Sequence, residues 1–169
     1  MKIRNRIKEL RMIKASELMP NPKNWRTHPK AQQDALKGIL AEVGYADALL
    51  ARELPDGSLM LVDGHLRAES TPDLEVPVLI LDLSESEADK LLLSLDPLSA
   101  MAGTDSAALD SLLRDVNTGS EALSQMFADM AEQAGIIPPN FDTATAEDQS
   151  KLDEKSKVQC PECGHEFIK

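Results

Sequence analysis

The chain has 169 residues, 42% apolar and only 3% aromatic, and a formal net charge of −11. That is room for one ordinary domain plus tails, with a core of Leu, Ile, Val, Ala and Met; it excludes a disordered polymer and a base-stacking platform of several aromatics. No apolar run is long enough to span a bilayer, no apolar stretch follows the basic N-terminus as in a secretory signal, and two neighbouring cysteines exclude a disulfide framework, so the expected location is cytoplasmic with no membrane partner.

The charge is uneven. Residues 1–30 carry nine Lys/Arg against Glu9 and Glu17, and the remaining residues carry nine basic and 27 acidic groups. A basic arm on an acidic body can contact nucleic acid phosphates, or it can fold back on its own acidic half.

Residues 1–9 read as this arm. Leu10–Leu18 reads as a strand, and Pro20-Asn21-Pro22-Lys23-Asn24 as a turn cluster. Trp25–Pro29 is a loop that leads into a helix over 30–43, with Leu36, Ile39, Leu40 and Val43 on one stripe and Gly44 as its stop. Residues 48–54 and 58–62 form a hairpin around Pro55-Asp56-Gly57. The second strand runs directly into Asp63-Gly64, and a short helical turn continues through Glu69 until Thr71-Pro72 breaks it.

Val76–Leu83 reads as a buried strand. Ser84 and Glu87 form a capping-box pattern for a helix whose inner face is Ala88, Leu91, Leu92 and Leu95, ended by Pro97. Thr104 opens the next helix, with the stripe Leu109, Leu112, Leu113 and Val116. Thr118 or Ser120 opens the last, and Gly135 followed by Ile136 fits a C-terminal cap. The fold class is therefore mixed α/β (α+β). The boundaries are an arm over 1–9, a main domain over 10–96, a helical extension over 97–137, an acidic linker over 138–158 and a small tail over 159–169. Residues 82–154 hold 16 acidic groups and only Lys90, Arg114 and Lys151 as basic ones, the wrong sign for a DNA recognition helix.

The junction Asp63–Glu69 points to chemistry. Gly64 permits a positive-φ turn and close approach of a ligand to the backbone, and a helix start presents free N–H groups that favour an anion. His65 titrates near neutrality and can serve as a base or a phosphate donor. Arg67 has the forked geometry that suits phosphate. Asp63 and Glu69 can orient these groups or hold a divalent cation, so Asp63, His65 and Glu69 are the catalytic candidates. The plainer alternative is a helix cap at Asp63 with Arg67 paired to Glu69 on the surface.

Pro20-Asn21-Pro22 with Arg26, the helix ending in Gly44-Tyr45, the hairpin, and Val62-Asp63-Gly64-His65-Leu66-Arg67-Ala68-Glu69 followed by Val76-Pro77-Val78 together resemble the N-terminal domain of the ParB/sulfiredoxin superfamily. The resemblance covers residues 10–96. It implies a small ParB/sulfiredoxin-like sheet with packed helices, and a nucleotide pocket for CTP or ATP with Mg²⁺. Gly64, His65 and Arg67 would take the phosphates, the loop of Asn21 and Arg26 would supply the facing wall, and Gly44 would be a further nucleotide contact. The Asp63-Gly-His-Leu-Arg variant resembles a ParB-like branch of phages and mobile elements, implying a role in DNA maintenance or modification. Leu66 and Glu69 stand where partitioning ParB proteins carry arginines. His65 stands where sulfiredoxin carries its cysteine, which excludes sulfiredoxin activity.

Cys160-Pro161-Glu162-Cys163-Gly164-His165 resembles a zinc-ribbon knuckle. Tetrahedral Zn²⁺ needs four ligands, and Cys160, Cys163 and His165 supply at most three, so a second subunit of a homodimer could complete the set. A redox dithiol and a knuckle without metal are the alternatives. Three functional readings follow: a nucleotide-binding module with or without NTP hydrolysis, weakly or indirectly associated with DNA through the arm; a non-enzymatic interaction module with a degenerate pocket; and a ParB-like nuclease or kinase variant.

Overall fold

The computed structural model describes residues 2–136, 157–159 and 166–168. The chain divides into two units, Met1–Ile136 and Ile137–Lys169. In chain order the first unit contains β1 (Ile7–Lys14), a 3₁₀ turn (Ala15–Glu17), β2 (Leu18–Met19), α1 (Lys30–Glu42), β3 (Leu49–Glu53) and β4 (Leu59–Asp63). It continues with α2 (His65–Ser70), β5 (Glu75–Leu81), α3 (Glu85–Ala100), α4 (Ser106–Asp115) and α5 (Glu121–Gln133).

The five strands make one mixed sheet in the order β1-β5-β3-β4-β2. β1 is antiparallel to β5, with Leu10 opposite Leu79 and Met12 opposite Pro77. β5 runs parallel to β3, starting at the Leu49–Val78 pair, so Pro77 lies in the part of β5 that β3 does not pair. β3 and β4 form the expected hairpin, and β2 adds in parallel to β4.

Alternation in the strands builds the core. Val76, Val78 and Ile80 of β5 are fully buried, as are Leu49 and Ala51 of β3, and Leu61 of β4 is nearly so. Ala15, Leu18, Leu59 and Ala68 complete the cluster, with Ile13 and Tyr45 packed against it. Each large apolar side chain buried in this way contributes about 1.5–3 kcal/mol.

Three elements depart most from the sequence expectation. The first strand begins at Ile7, inside the segment read as an arm, and ends at Lys14 rather than Leu18. Its local pattern is highly charged and conceals the strand, which exists because β5 pairs with it along its length. Two of the arm's charges pair internally, Arg6 with Glu87 at 2.6 Å and Lys8 with Glu53 at 3.3 Å, and farther along the strand Lys14 meets Asp73 at 3.5 Å. α3 does not stop at Pro97 but continues to Ala100. Proline removes the N–H that would bond the carbonyl four residues back and its ring crowds that carbonyl, but Leu93 there is exposed, so the carbonyl can tilt outward to water. α4 is capped by Asp105, not Thr104: the Asp105 side chain accepts the N–H groups of Ala107 and Ala108. No residue of α4 is buried, and Leu112 and Val116 of its expected apolar stripe are exposed.

Other local signals are realised. Ser84 and Glu87 form the reciprocal capping box. Ser120 accepts the N–H of Leu123. Gly135, at φ 68°, ends α5 with Ile136 N–H bonded to Ala131 O at 2.8 Å. Among the described residues no helix is long and apolar enough to cross a membrane.

The second unit contains β6 (Lys157–Gln159) and β7 (Glu166–Ile168), an antiparallel pair with Gln159 opposite Glu166. Cys160, Cys163 and His165, expected to ligate zinc, lie outside the described residues.

Candidate functional site

A cleft of about 410 Å³ opens in the first unit. Its floor is the end of β4 and the start of α2, from Val62 to Arg67. One wall is the loop Asn24–His28 with Gln32 and Leu36 of α1. The other is α3, through Leu91, Leu92, Leu95 and Asp96.

The floor turns at Gly64, which has φ 92° and sits at the start of α2. Two facts require glycine here. The left-handed conformation disfavours a side chain, and a Cβ would stand 2.7 Å from Cγ of fully buried Leu49. No side chain caps α2, so Asp63 is not the expected helix cap. The first amides of the turn have no side-chain acceptor from the cap position, and they border the cleft.

His65 is buried, and its Nε2 accepts the backbone N–H of Asn21 at 3.2 Å. The bond fixes the tautomer that carries its proton on Nδ1. Burial holds the His65 pKa below its ordinary 6.5, against the opposing pull of Asp63 and Glu69. A neutral ring with an occupied Nε2 lone pair ties the Pro20–Pro22 loop to the Gly64 turn. Asn21 itself is buried, and its side-chain Oδ1 accepts Lys23 N–H at 2.9 Å. It borders a smaller cavity, while Asn24 faces the main cleft.

Arg67 lies at the other end of the floor with only 17% of its side chain exposed. Its Nη2 donates to Asp63 Oδ2 at 3.0 Å and its Nη1 to Asp47 Oδ2 at 2.5 Å. Burial pushes the Asp47 pKa up, but the bonds from Arg67 and from Ala48 N–H outweigh it and leave the carboxyl below its ordinary value. Arg26 comes from the facing loop. Its Nε donates to Asp96 Oδ2 at 2.6 Å, and its guanidinium lies 4.8 Å from the centre of the Trp25 ring. The bond from Asp96 raises the Arg26 pKa further, so it is a permanent cation. Trp25 Nε1 donates to Leu92 O at 3.3 Å and fastens this loop to α3.

The structure thus brings Asp63, Gly64, His65, Arg67 and Arg26 together around one cleft. It does not bring Glu69 or Gly44 there. Glu69 is exposed and outside the cleft lining, because residues two apart on a helix point in different directions and Arg67 faces Asp63 instead. Gly44, at φ 84°, turns the chain out of α1 with open space around it. Among the described residues no three His, Cys, Asp or Glu side chains converge to hold a metal ion. Asp47, Asp96, Asn24, Thr27 and His28 are additions that the sequence reading missed. Asn24, Thr27 and His28 belong to the loop that carries Arg26, whereas Asp47 and Asp96 reach the arginines through contacts between distant elements, for which a single sequence carries no signal.

No family model matches the sequence, and no curated protein matches it. Solved structures do resemble the fold. The C-terminally truncated chromosome-partitioning protein ParB from Caulobacter crescentus, complexed with CTP-gamma-S, matches with a TM-score of 0.54 at 18% identity, over 76% of this chain and 72% of that one. The same truncated protein complexed to the centromeric parS site gives a TM-score of 0.43 at 17% identity, over 70% and 64%. A Pnob8-like ParB-N domain gives 0.43 at 15% identity, over 95% and 56%. The mixed sheet with its packed helices is a ParB-like fold.

Proposed function

We propose that this chain is a ParB-like nucleotide-binding module whose cleft takes the phosphates of a nucleoside triphosphate, CTP or ATP. The observation that carries the reading is that Arg26 of one wall and Arg67 of the floor line the same cleft as the positive-φ turn at Gly64. Two arginines and a set of uncapped amides are what a polyphosphate requires. The apolar wall of Leu91, Leu92 and Leu95 offers a surface for the nucleoside. The cleft volume lies within the range of about 300–1,000 Å³ typical of small-molecule sites. Further support is the shared fold with a ParB protein solved with CTP-gamma-S.

Mg²⁺ would enter with the phosphates and draw its ligands chiefly from them, since Asp63, the carboxylate of the floor, is held by Arg67. The reading is binding rather than turnover, since the Nε2 of His65 is already engaged by Asn21 and Asp63 is engaged by Arg67. A place in the DNA maintenance or modification of a phage or mobile element, with DNA association, belongs to the same proposal.

One observation favours the second reading, an interaction module with a degenerate pocket: both arginines are already neutralised by carboxylates. Calorimetry with CTP, ATP and GTP plus Mg²⁺, on the wild type and on Arg67→Ala, separates the two. Binding that the substitution abolishes supports the nucleotide reading. Heat from none of the three nucleotides, in the wild type and in Asp47→Asn alike, overturns it.

A further inference from the structure

The bond between Arg67 and Asp47 bears on which ligands the cleft selects, and the inference rests on the nucleotide-binding reading. Each terminal nitrogen of Arg67 meets a different carboxylate: Nη2 meets Asp63 from the same turn, and Nη1 meets Asp47 from the loop between α1 and β3. That loop is built to hold Asp47 in place. Gly44 turns it out of α1 with φ 84°. The Tyr45 hydroxyl donates to Arg67 O at 3.3 Å and hydrogen-bonds Thr71 Oγ1, so the loop grips α2 itself. Asp47 Oδ1 then accepts the N–H of Ala48 at 2.7 Å, which orients the carboxylate. One segment therefore both clasps the helix that carries Arg67 and presents an anion to its guanidinium.

The chemistry of the pair is that of an exchangeable counter-ion. The Arg67 side chain is 17% exposed and that of Asp47 is 77% exposed, so a solute anion can compete from the solvent side. A carboxylate and a phosphate use the same donor fork. The same arrangement recurs on the facing wall, where Asp96 of α3 holds Arg26.

We infer that Asp47 is a competing counter-ion that sets the affinity of the cleft: its carboxylate occupies the anion position of Arg67, and a ligand phosphate takes that position only by displacing it. Displacing one negative charge, with Asp63 and Asp96 still facing the cleft, offsets most of what a single phosphate group gains. A chain of phosphates retains a surplus. The cost leaves a monophosphate with little net binding and a polyphosphate with enough to register, and Asp47 sets that threshold.

The test is calorimetry of the full chain with CTP, CMP and inorganic pyrophosphate, on wild type, Asp47→Asn, Arg67→Ala and the double variant. The change from Asp to Asn keeps the size of the side chain and removes its charge. The expected result is roughly threefold tighter CTP binding in Asp47→Asn, the scale of a solvent-accessible ion pair. CMP should gain by the same factor, and both gains should vanish in the double variant. CTP binding to Asp47→Asn where the wild type binds none supports the displacement equally. Equal or weaker CTP binding in Asp47→Asn, or a gain that survives loss of Arg67, overturns it and leaves the nucleotide reading standing. Absence of binding in wild type and Asp47→Asn alike overturns both.

Discussion

The Nε2 of His65 accepts the backbone N–H of Asn21 at 3.2 Å, a buried bond between residues 44 apart in sequence. It joins the Pro20–Pro22 loop to the Gly64 turn, so the two segments that carry the resemblance to ParB are held by one imidazole. Replacing His65 with Ala leaves a buried donor without a partner and a cavity beside it. The expected loss is about 2 kcal/mol in a denaturant titration. Gln places an oxygen near the position of Nε2 and should recover part of that loss; equal losses for Ala and Gln would count against the bond. The pH dependence follows from the depressed pKa. On acidification the unfolded chain binds the imidazole proton first, so the contribution is complete above the ordinary pKa of 6.5 and is lost as pH falls below it. Wild type should lose more stability than His65→Gln between about pH 7.5 and about pH 5.5.

Gly64→Ala tests the floor of the cleft without touching a polar group. The substitution meets two penalties: φ of 92°, and a contact of 2.7 Å to Cγ and 3.2 Å to Cβ of Leu49. Cγ is in the middle of a fully buried side chain, which cannot swing aside. We expect a loss of at least about 2 kcal/mol of stability, from strain and overpacking together. Leu49→Ala in the same chain removes the 2.7 Å contact to Cγ but not the 3.2 Å one to Cβ or the backbone strain, so the double variant should lose less than the sum of the single losses. Strict additivity in denaturant titrations would show that the contact does not matter.

The features that short-range rules govern are legible in the sequence. The Gly64 turn, the Ser84–Glu87 box and the Gly135 cap each depend on a few adjacent residues. Long-range pairings are not. β1 carries Lys8, Glu9, Arg11 and Lys14 in eight residues, and only its match to β5 makes it a strand. The same limit hides the electrostatics of the cleft. Adjacency in sequence groups Arg67 with Glu69, although the i,i+4 relation to Asp63 lies in the same heptapeptide. Asp47 and Asp96 lie 20 and 70 residues from the arginines they bind, and nothing local marks them.

Glu87 connects the N-terminal segment to α3, and its ionisation should appear in the acid stability of the protein. It receives Arg6 Nη1 at 2.6 Å and Nη2 at 3.0 Å, together with the N–H and hydroxyl of Ser84. The Arg6 bond, followed by those from Ser84, lowers its pKa from the ordinary 4.5 to about 2. A carboxylate with a depressed pKa stabilises the fold fully above the unfolded value, and the contribution disappears as pH falls through the folded one. Wild type should therefore lose stability between pH 4.5 and about 2 more steeply than Glu87→Gln, whose amide does not titrate in that range. Parallel curves from thermal melts across the window would rule the coupling out.

A second carboxylate anchors the helical extension. Glu42, the last residue of α1, places Oε1 within 2.7 Å of Thr118 Oγ1, 2.9 Å of Gly119 N and 3.0 Å of Ser120 N, all three donors on the loop that starts α5. These bonds hold its pKa down, that of Thr118 contributing most. One turn earlier Gly38 lets the two helices approach: a Cβ there would lie 2.3 Å from Ser120 Oγ and 2.9 Å from its Cβ. The docking of α5 on α1 therefore needs a small residue at 38 and an acceptor at 42. Glu42→Ala should release the loop, and amide hydrogen exchange at Gly119, Ser120 and Leu123 should quicken by roughly tenfold or more once three bonds to one charged acceptor are gone. Exchange in the sheet should not change, because α1 and β5 do not depend on that acceptor. Gly38→Ala should produce the same regional pattern by a steric route. Uniform acceleration across the sheet in both variants would mean that α5 is part of one cooperative unit with it and not an element held by this pair of residues.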